Sequence, residues 1–535
     1  MVLLLAAFGL AKGCQEKKAS SSVAGSGTFT INLGSEPATI NPFTAADVPA
    51  GRLHDFTFDN LLIRDLDTND WEPAVAESWE ISKDKKAFTF KLREGVVWHD
   101  GKPLTVEDVK YSFEAIFDPD MNTAHLRPYY ENIKLAEILD ARTIRFSVKD
   151  EYFKNFDVVA ELRLVPKHYY SDKALKKEHN KKIIGSGAYK LISYEKGKRF
   201  ILEQNPDWWG RKDPKYSKQW TFKRMVLRFI KEQNIVMESF KKGDLDHIPM
   251  NPDTYLNKTS GPEWGSRLFK FKIQNKAPKG YSYVAWNNSH PILKDKSVRK
   301  ALGMLYNRDE AMAKFEFNLS SFSDGPIYTD SDYHSPKSNP LLFDPKGALA
   351  ELSAAGWKDT DADGILDKMI NGRKTPLSVT VLEPSEDYAK YITIYKEEAK
   401  KMGVEINVKI IEWNSLVKLI DERKFDAIHM AWGAGDVDID LKQIWHSGTG
   451  AQGSNFISYK NTEVDRLIDE SRRTFEKSKR IPILQKASEL IASDYPYLFM
   501  FSPVTNFYAI NDRIERVKDT YQYGLGFQTW QLKTP

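Results

Sequence analysis

Three stretches in the last third of the chain set its architecture. Leu377, Val379 and Val381 alternate with polar residues, as do Ile406, Val408 and Ile410, and Phe425 to Trp432 is a third apolar run. Each predicts a strand. Between the first two, Tyr388, Tyr391, Ile392, Tyr395, Ala399 and Met402 fall on one helical face, with Ser385 as N-cap and Gly403 as the stop. Asn414 is placed to cap a shorter helix carrying Leu416, Leu419 and Ile420. Alternating strands and helices imply parallel pairing through right-handed crossovers. In open sheets of this kind ligands sit beyond the carboxyl ends of strands. The third strand empties into Trp432, Gly433, Ala434, Gly435, Asp436, Val437, Asp438, Ile439 and Asp440, so a ligand site is expected in that loop.

Upstream, Phe29, Ile31 and Leu33 alternate as an opening strand, followed by the loop signal Gly34-Ser35-Glu36-Pro37. A block of short elements then spans Leu61 to Ile184. It contains a strand at Phe88 to Leu92, a Thr105/Asp108 capping box opening a helix on Val106, Val109, Phe113, Ile116 and Phe117, and a strand at Thr143 to Val148. Residues Ile184 to Tyr283 read as strand-rich, with strands at Tyr189 to Tyr194, Arg199 to Gln204 and Arg224 to Phe229. From Asp295 onward helices dominate: one on Val298, Ala301, Leu302 and Leu305, one from Asp344-Pro345 to Gly356, and two at Glu463 to Phe475 and Lys479 to Ala492. Tyr497 to Ile510 is extended, and the tail is aromatic.

A length of 535 residues is too great for one core, so two or three domains are expected. The net charge of +4 is small, and neither an aromatic-interleaved basic stripe nor zinc spacing calls for nucleic acid. The basic run Lys173 to Lys182 reads as a solvated helix face. Cys14 is the single cysteine, and it follows an apolar run, Val2 to Leu10, and a small residue, Gly13. That run suits a signal-peptide core rather than a mature span, with 1–14 as a lipoprotein-type leader and Cys14 as the lipidated start. An ordinary secretory signal is the alternative. Residues 15–27 read as a flexible tether, and no disulfide is available to the mature chain.

The motifs of metalloproteases, phosphate loops and serine hydrolases are missing, and no cysteine nucleophile remains in the mature chain. Gly448 to Gly453 matches a dinucleotide fingerprint by letters, without a preceding strand or a following helix. No cofactor is expected. Asp359, Asp361, Asp363 and Asp367 occupy calcium-loop positions one, three, five and nine, but Ile370 stands where a bidentate glutamate belongs. The preferred reading is an Asp/Gly turn, with weak calcium binding as the other. The carboxylates of the 436–440 loop leave open a secreted hydrolase.

Read in order, several segments resemble the family 5 extracellular solute-binding proteins of bacterial ABC importers, the oligopeptide- and dipeptide-binding group. They include Gly34 to Pro42, Leu61 to Arg64, Pro73 to Trp79 and Leu92 to Thr105. Gly185-Ser186-Gly187-Ala188-Tyr189, Phe240 to Asp246, Trp286 to Pro291, Val298 to Leu302, Gly453 to Phe456 and Val464 to Ile468 follow. Singly these are weak; their collinearity carries the resemblance, which covers the chain after the tether.

The resemblance implies an α/β, two-lobed periplasmic-binding-protein fold of type II, the large three-domain variety. Lobe I would comprise 28–60, 184–283 and 505–535, decorated by an inserted subdomain at 61–183. Lobe II would be 284–504, with hinge crossings near Val284 and Val504. The implied function is capture of a peptide or similar small solute between the lobes, and its delivery unchanged to a membrane permease. The protein would be a monomer in the periplasm or cell envelope, held to a membrane by lipid. A sugar, nickel chelate or opine is an alternative ligand. In this family an aspartate of the loop after the βαβαβ unit often receives a peptide's α-ammonium. Here Gly435 stands in its position, leaving Asp436, Asp438 and Asp440 as substitutes. Trp432, Trp413, Trp286, Tyr283 and Tyr523 are the aromatic candidates, Gly433 and Ala434 the main-chain ones, and Asn287 and Glu36 the further polar ones.

Overall fold

The computed structural model describes residues 27–533, apart from 46, 124–125, 339 and 451–453. The Cys14 leader, nearly all of the tether and the last three residues of the Gly448 to Gly453 run lie outside the described residues. No helix among the described residues is long and apolar enough to cross a membrane.

Three larger sheets organise the chain. The first has seven strands, in the order Leu268–Ile273, Asn506–Asn511, His247–Met250, Thr28–Asn32, Arg224–Arg228, Arg199–Gln204 and Tyr189–Glu195. Its opening strand pairs in parallel with both neighbours. Asp246 fastens this strand to the C-terminal segment. Its buried carboxylate accepts the Thr30 amide at 2.7 Å, the Asn511 side chain at 2.5 Å and the Arg513 guanidinium at 2.6 Å.

A four-stranded antiparallel sheet, Ala76–Ile81, Ala87–Leu92, Thr143–Val148 and Ile133–Ile138, shares its core with the first. The capping box forms as expected, with Asp108 accepting from the Thr105 amide at 2.9 Å. Gly185 and Gly187 join the two units. A Cβ on Gly185 would stand 1.9 Å from the Thr57 carbonyl oxygen, and one on Gly187 would stand 2.6 Å from the carbonyl carbon. Only glycine lets the backbones meet there, and the Gly187 amide donates to the Thr57 carbonyl at 3.0 Å.

The third sheet runs Glu405–Ile410, Ser378–Glu383, Ala427–Trp432, Tyr281–Trp286, Tyr497–Phe499. The first three are the parallel strands expected from the sequence. Alternation divides Tyr281–Trp286 between two cores, as strand geometry demands. Val284 and Trp286 pack with the helices Lys296–Met304, Pro345–Ala354 and Ala389–Lys400. Tyr281, Tyr283 and Ala285 pack with Thr462–Arg473 and Lys477–Ser493.

Several details differ from expectation. Glu412, not Asn414, caps the helix Trp413–Asp421, its carboxylate accepting from the Ser415 amide. Ser385 precedes a 3-10 turn, Glu386–Tyr388, that leads into the helix proper. The first crossing between the seven- and five-stranded sheets occupies residues 274–280, just before the strand that holds Val284. The return crossing lies between Phe501–Pro503 and Asn506–Asn511. The stretch expected to be strand-rich also holds a helix, Gln233–Lys242, ended by Gly243 in the left-handed region.

Candidate ligand-binding site

The strand Ala427–Trp432 ends at the mouth of a cavity of about 740 Å³. One wall is the loop expected from the sequence: Trp432, Gly433, Gly435, Asp436, Asp438 and Asp440 line it. The opposite wall comes from the unit of the four-stranded sheet, through Tyr129, Tyr152, Lys154, Asp157 and Glu161. Lys279 from the crossing and Tyr328 also line it.

Trp432 is held from behind. Its ring lies 5.9 Å from that of Tyr283, which stacks on Tyr497 at 4.2 Å, and 6.0 Å from Phe456. Tyr283 is fully buried and so supports Trp432 instead of meeting a ligand. Gly433 and Gly435 have no internal reason to be glycine. A Cβ on either would meet nothing within 4 Å, and neither has a positive φ. Ala434 is in the same exposed loop but does not line the cavity.

Each of the loop aspartates already has a protein partner. Asp436 pairs with Lys154. Asp438 accepts the Tyr333 hydroxyl at 2.5 Å and Arg480 at 3.0 Å. Burial alone would raise Asp438, but Tyr333 and Arg480 outweigh it and hold the carboxyl below its ordinary range. Asp440 accepts the Tyr152 hydroxyl at 2.7 Å and pairs with Arg472, whose guanidinium lies 3.7 Å over the Tyr152 ring. Asp438, held ionised in its pair with Arg480, does not present the protonated acid that glycosidic or peptide hydrolysis requires. The open α-ammonium receptor expected here is likewise filled by lysine and arginine.

The bridging is reciprocal. Tyr152 and Lys154 belong to the four-stranded unit, while Asp436, Asp440 and Arg472 belong to the five-stranded one. The Phe153 amide also donates to the Arg472 carbonyl at 2.9 Å, and Arg480 lies 3.8 Å over the Phe153 ring. No motif marked residues 152–161 in the sequence. Their importance arises only when the fold brings this short Tyr-Phe-Lys stretch opposite the acidic loop.

Other candidates lie elsewhere. Trp286 is fully buried in the core of the five-stranded sheet. Asn287 spends its side-chain amide on the Phe425 carbonyl at 2.8 Å, ordering the approach to Ala427–Trp432. Trp413 begins its helix about half exposed and away from the cavity. Glu36 accepts the Tyr194 hydroxyl at 2.6 Å and the Gly197 amide at 3.0 Å, bracing its own sheet. Tyr523 donates its amide to the Leu66 carbonyl at 2.8 Å and does not line the cavity.

Asp359, Asp361 and Asp363 converge, their carboxylate oxygens within 4.8 Å of one another and exposed. Asp367 does not join them. Its carboxylate accepts the Thr360 amide and hydroxyl and pairs with Lys374 at 3.3 Å. The segment is a turn built on Asp359 accepting from Gly364 and Asp363 accepting from Ile365.

The family model of the bacterial extracellular solute-binding proteins, family 5, matches residues 70–453. The oligopeptide-binding protein AppA of Bacillus subtilis is 26% identical over 516 residues, covering 94% of this chain and 91% of the relative. The solved structure of that AppA, in complex with a nonapeptide, superposes with a TM-score of 0.82 at 24% identity, covering 95% of this chain and 99% of AppA. NikZ from Campylobacter jejuni, in complex with Ni(L-His), superposes with a TM-score of 0.79 at 23% identity, over 94% of this chain and 99% of NikZ.

Proposed function

This chain belongs to the bacterial extracellular solute-binding proteins of family 5, and we propose that its cavity captures an oligopeptide between two lobes and hands it on intact. The protein is the extracytoplasmic substrate-binding component of an ABC importer and not an enzyme. The observation that carries the peptide reading is the cavity itself. Its walls come from separately packed units, tied by Tyr152 to Asp440 and by Lys154 to Asp436. Contacts of that kind exist only when the units stand together, so a ligand filling the space between them favours the closed arrangement.

Trp432 supplies an apolar face, and the glycines at 433 and 435 leave the loop backbone open to a peptide main chain. Such recognition is indifferent to most side chains. The AppA relative, with its nonapeptide, favours a peptide over a nickel chelate as cargo. Lobe I would take 28–60, 184–273 and 505–533, with 61–183 as its inserted subdomain, and lobe II would begin at Tyr281. Cys14 would carry the lipid that keeps this monomer beside its permease in the periplasm or cell envelope.

The test is thermal unfolding of the purified mature protein with and without a pool of pentapeptides. A ligand at a hundredfold excess over its Kd adds about 2.7 kcal/mol of stability. The midpoint should rise with the pool and rise much less in Trp432→Ala. No shift at millimolar peptide would end the peptide reading.

A further inference from the structure

We infer that Glu161 selects ligands carrying a positive charge, an inference that deepens the peptide reading and rests on the same cavity. Glu161 follows the helix Asn155–Ala160 and lines the cavity wall, with its side chain about half exposed. It is held more loosely than Asp157 and Asp436, its one ion pair being a long one shared with Asp157. Asp157 accepts the Trp71 indole N–H at 2.9 Å and pairs with Arg64 at 3.1 Å. Asp436 pairs with Lys154. The nearest cation to Glu161 is the same Arg64, whose Nε stands 3.9 Å away while its other nitrogen serves Asp157. The neighbouring hydroxyls are also spent: Tyr129 donates to Gln443 and Tyr152 to Asp440.

Locally, then, Asp157, Glu161 and Asp436 face Arg64 and Lys154, leaving one negative charge over. The carboxyl also stands at the C-terminal end of its helix, where the peptide dipoles disfavour a further negative charge. Burial, and then the charge of Asp436, push Glu161 up to about 7, against the pull of Lys154 and Arg64. Such an arrangement gains from a ligand ammonium or guanidinium, which supplies the missing charge and donates a charge-assisted hydrogen bond. A neutral or acidic ligand supplies neither.

The test uses the whole mature protein and two matched sets of pentapeptides, alanine backgrounds with a single lysine or a single norleucine at each position. Cadaverine serves as a non-peptide cation. At pH 8 the best lysine peptide should bind roughly tenfold more tightly than its norleucine match, the worth of one charge-assisted bond. That margin should shrink at pH 6, vanish in Glu161→Gln and persist in part in Glu161→Asp. Equal binding of the two sets, or a lysine preference untouched by Glu161→Gln, would overturn the inference. If no peptide binds but cadaverine binds in a Glu161-dependent manner, the peptide reading fails and the cation preference stands. If neither binds, both fail.

Discussion

Tyr152 donates its hydroxyl to Asp440 at 2.7 Å, joining the unit of the four-stranded sheet to the loop that leaves the five-stranded sheet. Arg472 completes the contact by pairing with Asp440 and covering the Tyr152 ring. Burial and the adjoining Asp440 push the Tyr152 hydroxyl well above its usual range, so it remains a donor at any physiological pH. The contact is a latch across the cavity, made of neutral donor, carboxylate and guanidinium.

Removing the latch should loosen closure without disturbing either core. Tyr152→Phe is expected to weaken ligand binding about tenfold to a hundredfold, the worth of one hydrogen bond to a charged group. The loss should fall on the dissociation rate, because the bond forms only once the units have met. Stopped-flow measurement of both rates checks this; an unchanged dissociation rate would count against the latch.

The glycines of the acidic loop give a cleaner separation of stability from binding. Nothing lies within 4 Å of a Cβ on Gly433 or Gly435, so alanine at either should leave the unfolding midpoint within about 1 °C. If the ligand's main chain approaches there, the same methyl group should weaken binding by about tenfold. Calorimetric titration of both variants beside their melting curves checks the pair of outcomes.

Much of this arrangement was legible in the sequence, and the boundary of what was legible is physical. The parallel strands at 378–383, 405–410 and 427–432 announce themselves by periodicity, because each buries alternate residues against helices. The loop after Trp432 follows from topology alone. Trp286 and Asn287 misled because a fully buried tryptophan and a buried asparagine that orders backbone read like binding residues in one dimension. Glu36 misled likewise, its carboxylate serving Tyr194 and Gly197. Lys154 and Glu161 carried no signal at all. Their roles depend on a pairing across 282 residues between Lys154 and Asp436, which no local pattern encodes.

Glu161 makes the protein's stability depend on pH in a defined direction. Its folded value of about 7 lies above the ordinary 4.5, so the folded state holds a proton that the unfolded state has lost. Stability should fall as pH rises from about 4.5 to 7 on this account, and level off above. Glu161→Gln should therefore melt higher than the wild type at pH 8 and level with it at pH 4.5. Melting curves at the two pH values check the sign.

Asp246 anchors the opening strand, and its loss should be costly. Asp246→Ala strands the buried Thr30 amide and unpairs Arg513 and Asn511. The expected cost is about 3 kcal/mol, or roughly 3–5 °C in the unfolding midpoint of a chain this long. Differential scanning calorimetry checks it, and peptide affinity at low temperature should be retained.

Native mass spectrometry of the mature protein with a bound pentapeptide reads capture and chemical fate together. The expected spectrum has a single adduct of one peptide per chain, and the peptide ejected from it has its starting mass after prolonged incubation. Free protein alone, or ejected fragments lighter than the peptide supplied, would contradict a receptor that carries its cargo unaltered.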